Sequence, residues 1–235
     1  MPEKIYRVDV CIVGAGPAGM ILGLLLAHQG VKVLVLESQH DFEREYRGEV
    51  LMPRFIQMMR QIGLLSCLEK YPHLKLKNFE LHYKDKILAN LDFSGICPEA
   101  PFALWMPQTV MLNALREKAA TYPNFQLLFG VTVRDVTREG EKIVGVMATR
   151  RAEQFEVRAR VTVGADGRAS AVRKTAEFKM EYEDYDFDVA WFAAKRHEHF
   201  ENTVRAFFTP RRTYLVLPKH PDLFQCGILV GKGEF

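Results

Sequence analysis

The sequence predicts an α/β fold: a Rossmann-like βαβ unit at the N-terminus, with a β-rich second part inserted into the chain. Three observations carry the prediction. Apolar runs at residues 8–13 and 31–36 are each long enough for one buried strand, and an apolar helical segment lies between them. Gly14, Gly16 and Gly19 stand at the turn out of the first run, in the spacing G-x-G-x-x-G. From residue 76 onward, strand-like segments outnumber helical ones.

Each part of the N-terminal unit has a physical reason. Gly14 permits the tight turn out of the strand, and Gly16 lets the backbone approach a pyrophosphate that a side chain would block. Gly19 lets the helix pack closely on the sheet. Pro17 and Ala18 open that helix; proline suits its first turn, where an N–H would be unpaired anyway. The unpaired N–H groups and the positive end of the helix dipole then face phosphate. Gly30 stops the helix, and the second strand ends at Glu37, 18 residues after Gly19. That is close to the roughly 20 expected of a ribose-binding acid. A carboxylate there accepts hydrogen bonds from ribose hydroxyls and repels a 2′-phosphate, which argues against NADP at this site. FAD and NAD both fit the unit.

Composition bounds the remaining choices. Of 235 residues, 48% are hydrophobic and 26% charged, the balance of an ordinary globular protein with a sizeable core. A formal charge of +3, with the basic residues scattered, argues against nucleic acid as a partner. No apolar run approaches the ~18 residues of a membrane span, and no basic leader precedes the first strand. The four cysteines, Cys11, Cys67, Cys97 and Cys226, show no metal or redox spacing. The expectation is a cytoplasmic chain with no membrane partner.

Taken in order, the polar stretch 38–49 reads as a loop, in which Arg44 and Arg47 are either solvated or in contact with phosphate. A helix is predicted over 51–62, stopped by Gly63, and a shorter one over 64–70. Strands at 76–83 and 86–93 form a hairpin around Lys84 and Asp85. A helix at 109–120 follows Gln108, with Thr109 as its N-cap. Strands are predicted at 126–129, 132–137, 142–148 and 154–163, the last three as an antiparallel meander over one face of the sheet. Asp166 and Gly167 then form a second strand–turn–helix entry, with a short helix over 170–176. Strands at 187–194, 203–208, 213–217 and 224–230 complete the pattern.

Three features stand together: the N-terminal βαβ unit, Arg47-Gly48-Glu49-Val50-Leu51, and D-G-x-x-S-x-x-R at Asp166, Gly167, Ser170 and Arg173. Together they resemble the FAD-dependent aromatic hydroxylases, the class A flavoprotein monooxygenases typified by p-hydroxybenzoate hydroxylase. The resemblance is strong at 7–55 and 100–175 and weaker elsewhere. It implies that Gly14, Gly16, Pro17, Ala18 and Gly19 hold the FAD pyrophosphate and Glu37 the adenosine ribose. It assigns Arg47 to the pyrophosphate or sugar, and Gln108 to the flavin side. It associates Asp166 and Gly167 with FAD and the reduced nicotinamide cofactor. NAD(P)H would reduce the flavin, and O2 activated there would hydroxylate a small aromatic substrate. The cofactor carries that chemistry, so no catalytic acid–base pair is assigned.

The implied organisation is an FAD-binding domain in two parts, residues 1–74 and 98–178, with a substrate-domain hairpin at 75–97 and a substrate-domain sheet at 179–235. Arg212 and Tyr214, two apart on one predicted strand, share a face that a substrate would reach. The aromatic cluster Tyr182, Tyr185, Phe187, Trp191 and Phe192 reads first as sheet core and second as an aromatic pocket. His197, Glu198 and His199 read as a charged turn, and no metal site is expected. One family feature has no match: the Gly-Asp pair that follows the substrate domain is absent, and the sequence stops at Gly233-Glu234-Phe235. The expectation is a chain truncated at its C-terminus, with apolar sheet surface left exposed. Alternatives are an FAD-dependent reductase of the same fold and an inactive nucleotide-binding fragment. The halogenase signature W-x-W-x-I-P is absent.

Overall fold

The computed structural model describes residues 4–43, 48–197 and 200–234. β1 (Lys4–Val13), α1 (Pro17–His28) and β2 (Val33–Leu36) form the expected βαβ unit. Next come β3 (Gly48–Leu51), α2 (Pro53–Gln61), α3 (Ser66–Glu69) and β4 (Leu74–Leu76), then the hairpin of β5 (Asn78–Tyr83) and β6 (Lys86–Asp92). α4 (Phe93–Ile96) and β7 (Ala103–Pro107) lead into α5 (Gln108–Ala119). β8 (Phe125–Leu128), β9 (Val131–Glu139), β10 (Lys142–Arg150), β11 (Glu153–Gly164) and α6 (Ala171–Thr175) follow. The last described strands are β12 (Phe187–Lys195), β13 (Thr203–Phe208), β14 (Thr213–Lys219) and β15 (Leu223–Gly231). Two compact units emerge, one from residues up to 44 with 111–181, the other from 45–110 with 182–235.

The first unit is built on one six-stranded sheet in the order β8-β2-β1-β11-β10-β9. β8, β2, β1 and β11 run parallel, which requires cover on both faces and explains why residues 10–13 and 33–36 are apolar throughout. On one face Ile12 and Val35 meet α1, where a Cβ on Gly23 would stand only 3.1 Å from Val35 and from Phe125. On the other face Cys11, Val13, Leu34 and Leu36 share a core with Val133, Val146 and Val157. Each such side chain contributes about 1.5–3 kcal/mol by leaving water. The meander of β9, β10 and β11 is antiparallel as expected. It joins the parallel strands edge-on through β11 and curls back, so that its valines complete this core.

The second unit holds a six-stranded sheet, β12-β15-β14-β13-β5-β6, and a three-stranded sheet, β3-β7-β4. Leu76, Phe93, Ala103, Trp105, Val204 and Leu217 make its core. β7 lies at the centre of the smaller sheet, a strand the sequence pattern does not predict. Residues 103–106 are all buried and apolar, so no alternation announces a strand. The helix predicted over 51–62 begins instead at Pro53: its ring sets a helical φ at the first position and disfavours helix at Met52. Residues 76–83 divide at Lys77 into β4 and β5. Phe93 leaves the predicted strand and opens α4, because Asp92 caps that turn by accepting from the Ser94 N–H at 2.8 Å. Thr109 is not a cap; it lies inside α5, which starts at Gln108.

The aromatic cluster is neither core nor enclosed pocket. Tyr182, Tyr185, Phe187, Trp191 and Phe192 are all exposed. Phe187, Trp191 and Phe192 belong to β12, an edge strand that has a sheet neighbour on one side only among the described residues. Trp191 lies over Gly227 of the neighbouring strand, where a Cβ would stand 2.9 Å from its ring.

Candidate functional site

The C-terminal ends of β1 and β11 lie side by side, with Val13 paired to Gly164. The chain leaves β1 toward β2 on one side, while β11 occupies the other. This is a switch point of the kind where open α/β sheets bind ligands. Two turns emerge there, Gly14–Gly16 and Ala165–Gly167. They are tied to the sheet by Gly14 N–H to the Leu36 carbonyl and Ala165 N–H to the Val13 carbonyl, both at 2.7 Å.

The three glycines of the first turn have different tasks. Gly14 has φ +99°, and a Cβ on it would stand 2.4 Å from the Ala165 carbonyl oxygen. Gly19 sits one turn into α1, where a Cβ would stand 1.9 Å from the Gly14 carbonyl oxygen. Packing alone therefore demands glycine at both. Gly16 differs: its backbone is extended, and a Cβ there would meet no protein atom within 4 Å. It caps α1 without a side chain, and Pro17 follows at the first helical position. Helix geometry leaves the N–H groups of Ala18 and Gly19 without intrahelical acceptors. Open space, unpaired donors and the positive helix end coincide, the combination that receives phosphate.

Glu37 directly follows β2, beneath this turn, and is only 3% exposed. Its Oε2 accepts from the Ala15 N–H at 2.8 Å, and its Oε1 accepts from Gln39 N–H at 2.9 Å and the Ser38 hydroxyl at 3.2 Å. Ala15, the donor that ties acid to turn, is not marked in the sequence. A backbone N–H leaves no trace in residue identity.

Asp166 is occupied within its own loop. Its Oδ2 accepts from Ala171 N–H (2.7 Å) and Val172 N–H (3.2 Å), and its Oδ1 from the Ser170 hydroxyl (2.5 Å). The Ser170 hydroxyl in turn caps α6 by accepting from Arg173 N–H at 3.0 Å, and Arg173 donates to the Arg168 carbonyl at 2.6 Å. Gly167 supplies the positive φ of +80° that the turn requires. Each residue of D-G-x-x-S-x-x-R thus has a local task, which is to build a rigid turn beside Gly14.

The remaining expected residues are dispersed. Arg47 lies outside the described residues. Gln108 is the first residue of α5 and is buried in the second unit. Arg212 precedes β14 rather than lying on it, and its guanidinium pairs with Glu234 at 3.0 Å. Tyr214 is half-buried on β14. His197 is exposed, and Glu198 and His199 lie outside the described residues. Among the described residues no group of three His, Cys, Asp or Glu is placed to hold a metal. Burial pushes the Cys11 thiol up to about 12, which suits packing and not nucleophilic chemistry. A cavity of about 260 Å³ in the second unit is lined by Arg54, Gln57, Ile96, Cys97, Pro98 and Glu99. Its polar groups engage each other, Arg54 with Gln57 at 2.7 Å and Gln57 with Glu99 at 2.6 Å.

The profile of the family described as FAD binding domain matches residues 7–223. The chain belongs to this family. Membership resolves the choice left open by the βαβ unit, in favour of FAD. This FAD-binding chain is 34% identical over 227 residues to the 6-methylpretetramide 4-monooxygenase of Streptomyces rimosus, covering 96% of this chain and 54% of that protein. It is 24% identical over 226 residues to YhjG of Bacillus subtilis (strain 168), an uncharacterized aromatic compound monooxygenase, with 96% and 44% covered. Its fold matches that of PqsL, a probable FAD-dependent monooxygenase from Pseudomonas aeruginosa, with a TM-score of 0.83 at 23% identity. That match covers 97% of this chain and 62% of the other. The chain spans about half the length of the curated relatives it matches. Among its described residues no helix is long and apolar enough to cross a membrane.

Proposed function

We propose that the protein is an FAD-dependent monooxygenase that hydroxylates a small aromatic substrate at the expense of NAD(P)H and O2. The observation that carries this reading is the open space at Gly16, set before the unpaired N–H groups of α1 in a chain of the FAD-binding family. Aromatic monooxygenases among the named relatives supply the reaction class.

Gly14, Gly16, Pro17, Ala18 and Gly19 would hold the pyrophosphate, with the dipole of α1 offsetting its charge. Glu37 would accept hydrogen bonds from the ribose hydroxyls. Arg47, Gln108, Asp166 and Gly167 complete the proposed contacts to the cofactor, and Arg212 and Tyr214 those to the substrate. When bound, FAD supplies the redox and oxygen chemistry. The chain's own residues bind, orient and keep the turns rigid; Asp166 does so by fastening α6. No buried protein base is needed. The four cysteines are buried and none forms a disulfide, which supports a reducing cytoplasm as the compartment.

The test is an absorbance spectrum of the purified chain after incubation with FAD and gel filtration, followed by NAD(P)H oxidation assays with a panel of phenols and polycyclic aromatics. Flavin bands that co-elute, with oxidation stimulated by an aromatic and a product heavier by one oxygen, are the expected outcome. Flavin retention with aromatic-stimulated oxidation but no oxygenated product would replace monooxygenase with reductase. Failure to retain flavin would remove the cofactor assignment for this chain.

A further inference from the structure

We propose that Gln225 is a specificity-determining residue of the reaction proposed above: its side-chain N–H groups, aimed by Trp105, donate to an oxygen on the aromatic substrate. The inference rests on that reading of the reaction and adds a residue that selects among aromatics. It starts from a buried donor. Trp105 on β7 has no solvent exposure, and its indole N–H donates to Gln225 Oε1 at 3.4 Å. An indole nitrogen can only donate, so this bond fixes which end of the amide is which. Turning the amide over would set donor against donor and leave a buried N–H unpaired. Oε1 is thereby committed to Trp105, and the Nε2 hydrogens are the end that meets an acceptor.

The surroundings of this amide are apolar. In the sheet, Gln225 stands between Leu217 of β14 and Ala193 of β12, and the next row on the same face is Leu215, Gly227 and Trp191. The Trp191 ring lies over Gly227, 2.9 Å from where a Cβ would stand. Small-molecule sites have this composition: apolar and aromatic walls, with few polar groups that set orientation and specificity. One strand also links the amide to the proposed cofactor contacts. Trp105 lies two residues before Pro107, about 7 Å along β7. Pro107 pairs with Gly48 and directly precedes Gln108.

The direction of the amide names the substrate feature it reads. Two donors select a hydroxyl, phenolate or carbonyl oxygen on the ring, and a ring without one forfeits the bond. Tyr214 has the opposite parity to Leu217 on β14, so it presents to the other face of the sheet. Gln225 and Tyr214 therefore mark alternative faces for the substrate. The donor held from inside the fold selects the face of Gln225.

The variant that tests this is Gln225→Glu in the FAD-loaded enzyme. Glutamate keeps an acceptor for the Trp105 N–H and replaces both donors with a second acceptor. The probes are the phenol or aryl ketone of the assay panel that wild type binds most tightly, and the same ring with that oxygen replaced by hydrogen. KM for the oxygen-bearing probe should rise at least tenfold. The melting temperature, the FAD affinity and KM for the oxygen-free probe should stay as in wild type. A second readout needs no turnover. Trp105 and Trp191 are the two tryptophans of the chain, so Trp191→Phe leaves Trp105 as the sole indole emitter. Its fluorescence should respond to the oxygen-bearing probe, and adding Gln225→Glu should abolish the response. Equal binding of both probes by wild type overturns the proposal without any variant. So does a loss of binding from Tyr214→Phe with none from Gln225→Glu, which assigns the substrate to the other face. An unchanged KM in Gln225→Glu removes Gln225 alone, because flavin retention and aromatic-stimulated oxidation still uphold the monooxygenase reading. Wild type that lacks both of those removes the reading and the proposal together.

Discussion

Glu37 holds the glycine turn from beneath: its Oε2 accepts a 2.8 Å hydrogen bond from the backbone N–H of Ala15. The acid that the sequence marks for ribose therefore also shapes the loop proposed to bind phosphate. Both roles fall on one carboxylate, and they respond differently to substitution.

Glu37→Ala should lower both stability and FAD affinity. It leaves the buried Ala15 N–H without its acceptor, at about 1–3 kcal/mol, which corresponds to a fall of roughly 3–10 °C in the melting temperature of a chain this size. Thermal melts of the FAD-free chain and flavin fluorescence titrations check the two effects separately. An unaltered melting temperature would mean that the turn does not depend on this bond.

Gly16 and Gly19 should separate binding from folding. Gly19→Ala forces a Cβ to within 1.9 Å of the Gly14 carbonyl oxygen, so the FAD-free protein should be destabilised by several kcal/mol or fail to fold. Gly16→Ala meets no protein atom, and its backbone suits any residue, so stability should change by less than about 1 kcal/mol. FAD affinity should nevertheless fall at least tenfold. Equal FAD binding by wild type and Gly16→Ala would place the pyrophosphate elsewhere.

Glu80 should shape the acid limb of stability. Burial pushes its carboxyl up, but hydrogen bonds and charge from Arg205 and His82 outweigh that and hold it below the ordinary range. Both partners lie at 2.8 Å from Oε2. The folded-state value is the depressed one, so the contribution is present above the unfolded carboxyl pKa of about 4.3. It is lost as pH falls through the lower, folded value. Thermal melts from neutral pH down to about 3 should show a shallower decline for Glu80→Gln than for wild type. At neutral pH the same substitution should cost about 2–4 kcal/mol, because Arg205 keeps only its longer contact to Glu201, at 3.9 Å. Parallel acid limbs for the two proteins would rule the carboxylate out as their cause.

Gly227→Ala should couple to Trp191. The new Cβ would stand 2.9 Å from the ring, forcing it off the neighbouring strand at about 1–2 kcal/mol. Truncating Trp191 to alanine should relieve that cost, so a double-mutant cycle in urea should show the two losses to be less than additive. Strict additivity would show that the ring yields freely.

Much of this protein was readable from its residues because the information is local. Strand, glycine turn, helix and acid occur in one run of chain, so spacing alone identified the βαβ unit, and D-G-x-x-S-x-x-R marked the second turn. The hairpin around Lys84 and Asp85 was equally legible, since turn chemistry sits between alternating strands. What the sequence could not express were relationships between distant segments. β7 escaped because a strand buried on every side has no period to detect. The aromatics of β12 suggested core, yet the order of the sheet puts that strand at an edge, where the same side chains face solvent. The division of labour among Gly14, Gly16 and Gly19 likewise belongs to tertiary structure. Whether a glycine is required by packing or by a ligand depends on which atoms stand in front of its missing Cβ, and here Ala165, far along the chain, fills that space for Gly14 and nothing fills it for Gly16.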